Sequence, residues 1–206
     1  MINLLDEIKE NSEIRINDIE NNVSNIKNEI INSGEELRRS NKYVFLPILR
    51  TEDKKMLQKW FNQDFELILA YDSSKHGDSA AVFHQKCDGK IQTLTLVETE
   101  NGKRFGGYSK LTWDSTENFK SGDSSAFIFS LDKHIHLPIE DTNYVTFCSC
   151  KSGFGKHDIV ISDEFTKNYN SYSCVFNSYG KKDNFIGSNV NSSSLLAGIE
   201  FFKVKI

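Results

Sequence analysis

Between Gln92 and Ser109 the chain carries a hairpin signal at two levels. Gln92 to Thr99 alternates in polarity with period two, Lys103 to Ser109 returns beside it, and Asn101-Gly102 sits between them. Asn-Gly flanked by alternating residues is the strongest short-range hairpin pattern, because both residue types tolerate the left-handed backbone of a tight turn. Further strands are predicted at Phe65 to Tyr71, Ser125 to Leu131, Tyr144 to Cys148, His157 to Ser162 and Gly198 to Ile206. In the last of these Phe202, Val204 and Ile206 fall on one face. Many short strands with polar turns predict a mainly β (α+β) domain, a two-sheet antiparallel β-sandwich with a few short flanking helices.

Two helices interrupt this pattern. Residues 53–62 read as one, with Asp53 as N-cap and Met56, Leu57, Trp60 and Phe61 on one face. Ala80 to Cys87 reads as the other, capped by Asp78 or Ser79 after a polar run that begins at Asp72. Tyr43 to Pro47 is an extended entry, and Ser188 to Ser194 is a low-complexity loop. With 38 % hydrophobic residues in 206, the chain has enough apolar material for a core without disulfide or metal staples.

The first forty residues follow a different period. Ile16, Ile19, Val23, Ile26 and Ile30 are separated by steps of three, four, three and four, the a/d spacing of a coiled coil. The register extends weakly back to Ile2 and Leu5 but meets Lys9 and Ser12, and Gly34 reads as a stop. A long N-terminal helix over residues 2–32 is predicted, roughly 46 Å at 1.5 Å per residue. The expected organisation is a coiled-coil oligomerisation segment at 1–40 and a globular domain at 41–206. Isoleucine at both a and d favours a trimer or tetramer over a dimer. Docking onto the chain's own domain, or onto another protein, is the alternative for the same seam, and a helix this short is only marginal when isolated.

Charge follows the same division. Of 29 acids and 25 bases, residues 1–40 hold nine and five, so the net −4 belongs to the helical segment and the remainder is formally neutral. No basic face for nucleic acid is predicted. No apolar run approaches the roughly 18 residues of a membrane span. The N-terminus lacks a basic leader and a continuous apolar stretch, so the expected compartment is the cytoplasm.

Candidate chemistry is sparse. Cys87, Cys148, Cys150 and Cys174 read as free thiols; the Cys148-x-Cys150 spacing does not suit zinc, and a thiol-based redox enzyme remains the enzymatic alternative. His134-x-His136 offers two imidazoles without a third ligand, so no metal and no cofactor are predicted. Asp158, Asp163 and Glu164 are carboxylates near one strand, where a sugar-hydrolysing pair would need a defined separation. Gly106-Gly107 follows a hairpin strand and reads as a bulge or a close backbone approach. No catalytic constellation is predicted.

In order along the chain, several segments together resemble the TLDc domain family. They are Leu67 to His84, with Gly77 and Ser79 in its polar stretch; Asn101-Gly-Lys-Arg-Phe-Gly-Gly-Tyr108; Trp113; Ser125 to Leu131 with Phe127; Gly153-Phe-Gly155 with His157 to Ile161; Ser171 to Ser173; and Gly187 with Ile199 to Val204. The resemblance covers about residues 43–206. The glycine-rich stretch before Asp158 is shorter than in many members, and the coiled coil stands where some members carry larger domains. The resemblance implies a two-sheet sandwich acting as a non-enzymatic protein-interaction module in oxidative-stress resistance or in regulation of the vacuolar proton pump (V-ATPase). It supplies no catalytic residue. Gly77, Ser79, Gly106, Gly107 and Phe127 match its motif positions and read as structural. A scaffold or ligand-binding sandwich is the remaining alternative.

Overall fold

The computed structural model describes residues 15–29, 47–116, 118–148, 152–167, 169–173, 178–180, 185, 193–194 and 196–206. The chain falls into two units, Met1–Leu46 and Pro47–Ile206. In the first, residues 15–29 form helix α1. Ile16, Ile19, Val23 and Ile26 are each 54 to 61 % exposed. Ile30 and the rest of the predicted helix over 2–32 lie outside the described residues.

The second unit is mainly β. Its elements in chain order are α2 (Thr51–Phe61), β1 (Glu66–Asp72), α3 (Ser73–His76), α4 (Ala80–Cys87), β2 (Thr93–Thr99), β3 (Arg104–Ser109), β4 (Phe119–Lys120), β5 (Phe127–Ser130), β6 (Ile135–Pro138), β7 (Thr146–Cys148), β8 (Ser152–Phe154), β9 (Ile159–Ile161), β10 (Ser171–Ser173), β11 (Ser193–Ser194) and β12 (Leu196–Lys205). They form two antiparallel six-stranded sheets, ordered β1-β12-β2-β3-β5-β6 and β11-β10-β9-β8-β7-β4. The predicted two-sheet architecture with short helices is what the chain adopts.

Period two has an unexpected meaning in β2. All seven of its residues are buried, because both faces of the first sheet are covered. Leu94 and Leu96 belong to an apolar cluster with Leu57 and, more peripherally, Trp60 and Phe61 of α2. Val97 points the other way, into a cluster that joins Phe105, Trp113 and Phe201 to Phe154, Ile159 and Ile161 of the second sheet. Thr93 faces that side too, and its hydroxyl accepts from the Trp113 indole N–H at 2.8 Å. Thr93 and Thr95 therefore line the space between the sheets; Thr93 has this partner, whereas the Thr95 hydroxyl is buried with none among the described residues, an arrangement that costs stability. Each fully buried leucine or phenylalanine in these clusters contributes about 1.5–3 kcal/mol.

The hairpin closes through three residues. Gly102 N–H donates to Thr99 O and Thr99 N–H to Lys103 O, both at 2.9 Å. Gly102 takes the left-handed position at φ 72°, the arrangement that follows a type I turn in three-residue loops. Elsewhere local readings needed adjustment. Asp53 is not the N-cap of α2: Arg50 holds that place, and its N–H donates to the Asp53 carboxylate at 2.8 Å from the third helical position. The polar run after Asp72 contains the short helix α3, capped by Asp72. Ser79, rather than Asp78, caps α4. Phe202 and Val204 are buried, but Ile206 is half exposed where the strand ends.

Candidate functional site

Gly77 and Ser79 lie at a corner where the two sheets meet. The Tyr71 hydroxyl donates to Gly77 O at 2.6 Å, and Gly77 leaves α3 at φ 90°. Ser79 accepts from Val82 N–H, and Ala80 N–H donates to Asp163 at 2.7 Å. Thr166 donates its hydroxyl to Asp78. Behind this corner is a cavity of about 20 Å³ lined by Tyr71, Ser79, Phe83, Ile161, Phe165 and Ile199. That volume holds about one water and falls far short of the several hundred Å³ that a small organic ligand needs. Burial pushes the Tyr71 phenol well above its usual range, with Cys87, Asp78 and Asp72 adding to the shift.

Gly106 and Gly107 sit mid-strand in β3, paired without a register break to β2 and β5. There is no bulge at this pair. A Cβ on Gly106 would lie 1.9 Å from Thr95 O, and one on Gly107 would lie 2.7 Å from the Phe154 ring of the opposite sheet. One glycine admits backbone and the other an aromatic ring. Phe127, on the α2 side, stacks on Tyr108 at 5.3 Å and meets Phe61 edge-on at the same distance. The Tyr108 hydroxyl is buried without a hydrogen-bond partner among the described residues, and burial pushes that phenol up to about 12.

The candidate chemical groups are dispersed. Asp158 is fully buried and accepts from Ser178 N–H at 3.0 Å, while Asp163 caps Ala80 and Glu164 pairs with Lys167. These three carboxylates hold separate backbone and side-chain partners. His134 turns at φ 54° before β6 begins, so His134 and His136 do not share a strand face. His136 stacks on Trp60 at 5.6 Å, and burial lowers its pKa. His84 contacts Asp88 at 2.7 Å, and Ser115 donates to the same aspartate. In a nucleophilic triad the serine would instead face the imidazole. Among the described residues no group of three or more His, Cys, Asp and Glu is placed to hold a metal ion.

Cys87 is fully buried on α4, and burial pushes its thiol well above the ordinary range, with Lys90 opposing and Asp88 adding. Reactive cysteines need the opposite, an exposed thiol with a depressed pKa. Native protein is expected to leave Cys87 unlabelled by a thiol-exchange reagent, with labelling only on denaturation; prompt native labelling at this residue would contradict its placement. Cys150 and Cys174 lie outside the described residues, and Cys148 is located only as part of β7.

Sequence reasoning missed a buried polar assembly around Arg104. Arg104, 5 % exposed, donates from Nη1 to Asp53 at 2.5 Å and to Ile48 O at 3.3 Å, and from Nη2 to Asp132 at 3.3 Å. Buried Glu200 accepts from Ile48 N–H at 2.9 Å and Leu49 N–H at 3.0 Å. Burial alone would weaken the guanidinium's hold on its proton, but Asp53 and Asp132 more than offset it. The assembly straps residues 48–50 and α2 onto the first sheet.

Residues 47–205 match the TLDc domain family. A relative is the MTOR-associated protein MEAK7 of Danio rerio, 29 % identical over 69 residues. That match covers 34 % of this chain and 15 % of the relative, so the chain spans only a small part of the relative's length.

Proposed function

We propose that this chain, which belongs to the TLDc domain family, works as a non-enzymatic protein-interaction module held in several copies by its N-terminal helix. In this reading residues 1–40 are the oligomerisation segment and 41–206 the TLDc domain. The module acts in oxidative-stress resistance, in regulation of the V-ATPase, or in both, on the cytoplasmic side. The V-ATPase and stress roles come from the family resemblance. An mTOR-linked partner is suggested only by the name of the Danio rerio relative.

The observation that carries the interaction reading is the seam of α1. Four large aliphatic side chains at heptad spacing, each more than half exposed, leave an apolar stripe that water disfavours. Two further facts support it. The candidate carboxylates Asp158, Asp163 and Glu164 are engaged in capping and cross-linking the fold, and the described thiol is buried. No helix among the described residues is long and apolar enough to cross a membrane.

Self-association through residues 2–32 is expected to give a trimer or tetramer in light scattering at tens of micromolar. Replacing Ile19 and Val23 by asparagine should return the chain to one copy without loss of sheet signal in circular dichroism. A wild-type chain that is strictly monomeric at that concentration would remove the oligomer. Affinity purification with and without residues 1–40 tests the partner. V-ATPase subunits recovered by the full chain support the reading. Their consistent absence, with unchanged peroxide sensitivity on deletion, counts decisively against it.

A further inference from the structure

β1 is one edge strand of the first sheet, β6 being the other, and its backbone geometry can be derived residue by residue. Val204 N–H donates to Gln92 O at 2.6 Å, so Val204 turns its polar groups toward β2. In an antiparallel ladder successive residues alternate in direction. Lys203 and Lys205 therefore turn toward β1, and their partners Ile68 and Glu66 turn back toward them. Leu67 and Leu69 are left with N–H and C=O pointing away from the sheet, and among the described strands nothing lies beyond them. Folded proteins usually blunt such an edge with lysine, proline or an inward charge. Leu67-Ile68-Leu69 has none of these; a register shift interrupts the strand only after Leu69.

The side chains flanking this edge differ between its two faces. Leu67 and Leu69 belong to the α2 side, with Leu67 packed on the cluster that contains Phe202 and Val204. Leu69 is still 43 % exposed there. Ile68, 45 % exposed, lies on the opposite side beside Lys203, and Glu66 lies beside Lys205, with which it pairs at 3.5 Å. Both lysines are exposed. One face is apolar; on the other, Ile68 lies between Lys203 and the Glu66–Lys205 pair, where two lysines outnumber one acid.

We infer that β1 is a docking edge for an extended segment of another protein that adds to the first sheet as an antiparallel strand. The segment alternates apolar residues, which cover Leu67 and Leu69, with acidic residues, of which the one opposite Ile68 reaches toward Lys203. The backbone ladder supplies affinity, and the alternation supplies specificity. This rests on the interaction-module reading above and names its surface.

The probe is a fluorescein-labelled eight-residue peptide of alternating glutamate and valine, added to the full chain. Its valines fall opposite Leu67 and Leu69, so their amides face the edge while the glutamate amides face away. Binding is expected by anisotropy. N-methylation of the valine amides should weaken it at least tenfold, and N-methylation of the glutamate amides should leave it within about twofold. Amide exchange at Leu67 and Leu69 should slow at least tenfold on binding, with Ile68 unchanged because it already bonds to β12. Leu69→Lys, at an exposed position the fold tolerates, should weaken binding at least tenfold. Lys203→Glu should shift preference toward a lysine–valine peptide.

No binding at millimolar peptide, or indifference to valine N-methylation, overturns the inference. So does binding to vesicles with 30 % phosphatidylserine in place of the peptide, which would assign the lysines to a membrane surface. A fall in the chain's own mass on Leu69→Lys also overturns it, because the edge would then be taken by a second copy. V-ATPase recovery that persists in the Leu69→Lys chain overturns the β1 assignment and leaves the module reading standing.

Discussion

Replacing Gly106 by alanine is expected to cost roughly 3 kcal/mol or more, one of the two largest losses from any single substitution considered in this domain. The added Cβ would lie 1.9 Å from Thr95 O and 2.9 Å from the Phe129 ring. Thr95 sits in β2, between β12 and β3, and Phe129 is fully buried under α2. A carbonyl held in a ladder cannot rotate away, so the two central strands must separate. Gly107→Ala should cost less, about 1–3 kcal/mol, because its Cβ meets the Phe154 ring, a side chain that can shift. Gly102→Ala should cost about 1–2 kcal/mol, since that Cβ meets open space and pays only for the left-handed backbone. Urea unfolding of the three variants, read as midpoint shifts at constant slope, checks the order. A Gly106→Ala loss no larger than that of Gly102→Ala would mean the strands are not as close as described.

This glycine pair shows what local sequence does and does not reveal. Gly-Gly after a hairpin strand announces that something approaches the backbone closely. It does not say what approaches, and the two glycines turn out to admit different groups on opposite faces of one strand. The hairpin itself was readable because its turn chemistry and its alternation are both local. The short strands were not: β4, β6 and β8 contain two to four residues, too few for a period to show. β6 was obscured further because His136 finds its partner, Trp60, on a distant helix. The α1 seam is legible for the opposite reason, since a heptad is a property of neighbours.

Candidate residues divide along the same line. Ser79 could be marked from sequence as a helix cap, but Gly77 only through the family resemblance, because α3 is hidden in a polar run. The open edge at Leu67 and Leu69 could not. Phe65 to Tyr71 reads as a strand in isolation, and only the sheet order shows that it has one neighbour among the described strands instead of two. The buried charges were equally hidden: Arg104 lies 51 residues from Asp53, and Ile48 lies 152 from Glu200. Nothing in the local context of Arg104 distinguishes it from a surface arginine beside a turn.

Arg104→Met is the second large expected loss, about 3–5 kcal/mol. The methionine fills much of the same volume, so the penalty comes from charge rather than from a cavity. Removing the guanidinium strands the Asp53 carboxylate, 2 % exposed, and leaves Ile48 O without its donor. A buried charge without its partner costs more than the pair was worth. The Arg104→Met/Asp53→Asn double variant should therefore recover a large part of the loss. Asparagine keeps an oxygen for Arg50 N–H but carries no charge. Stability measured around this double-mutant cycle isolates the pairwise term. The strap should report on the same event: amide exchange at Ile48 and Leu49, both bonded to Glu200, should quicken in Arg104→Met and slow again in the double variant. If Arg104→Met costs under about 1 kcal/mol, or if the double variant is no better than the single, the ion pair does not hold the strap. The attachment of residues 48–50 would then rest on Ile48 packing and the Glu200 carboxylate alone.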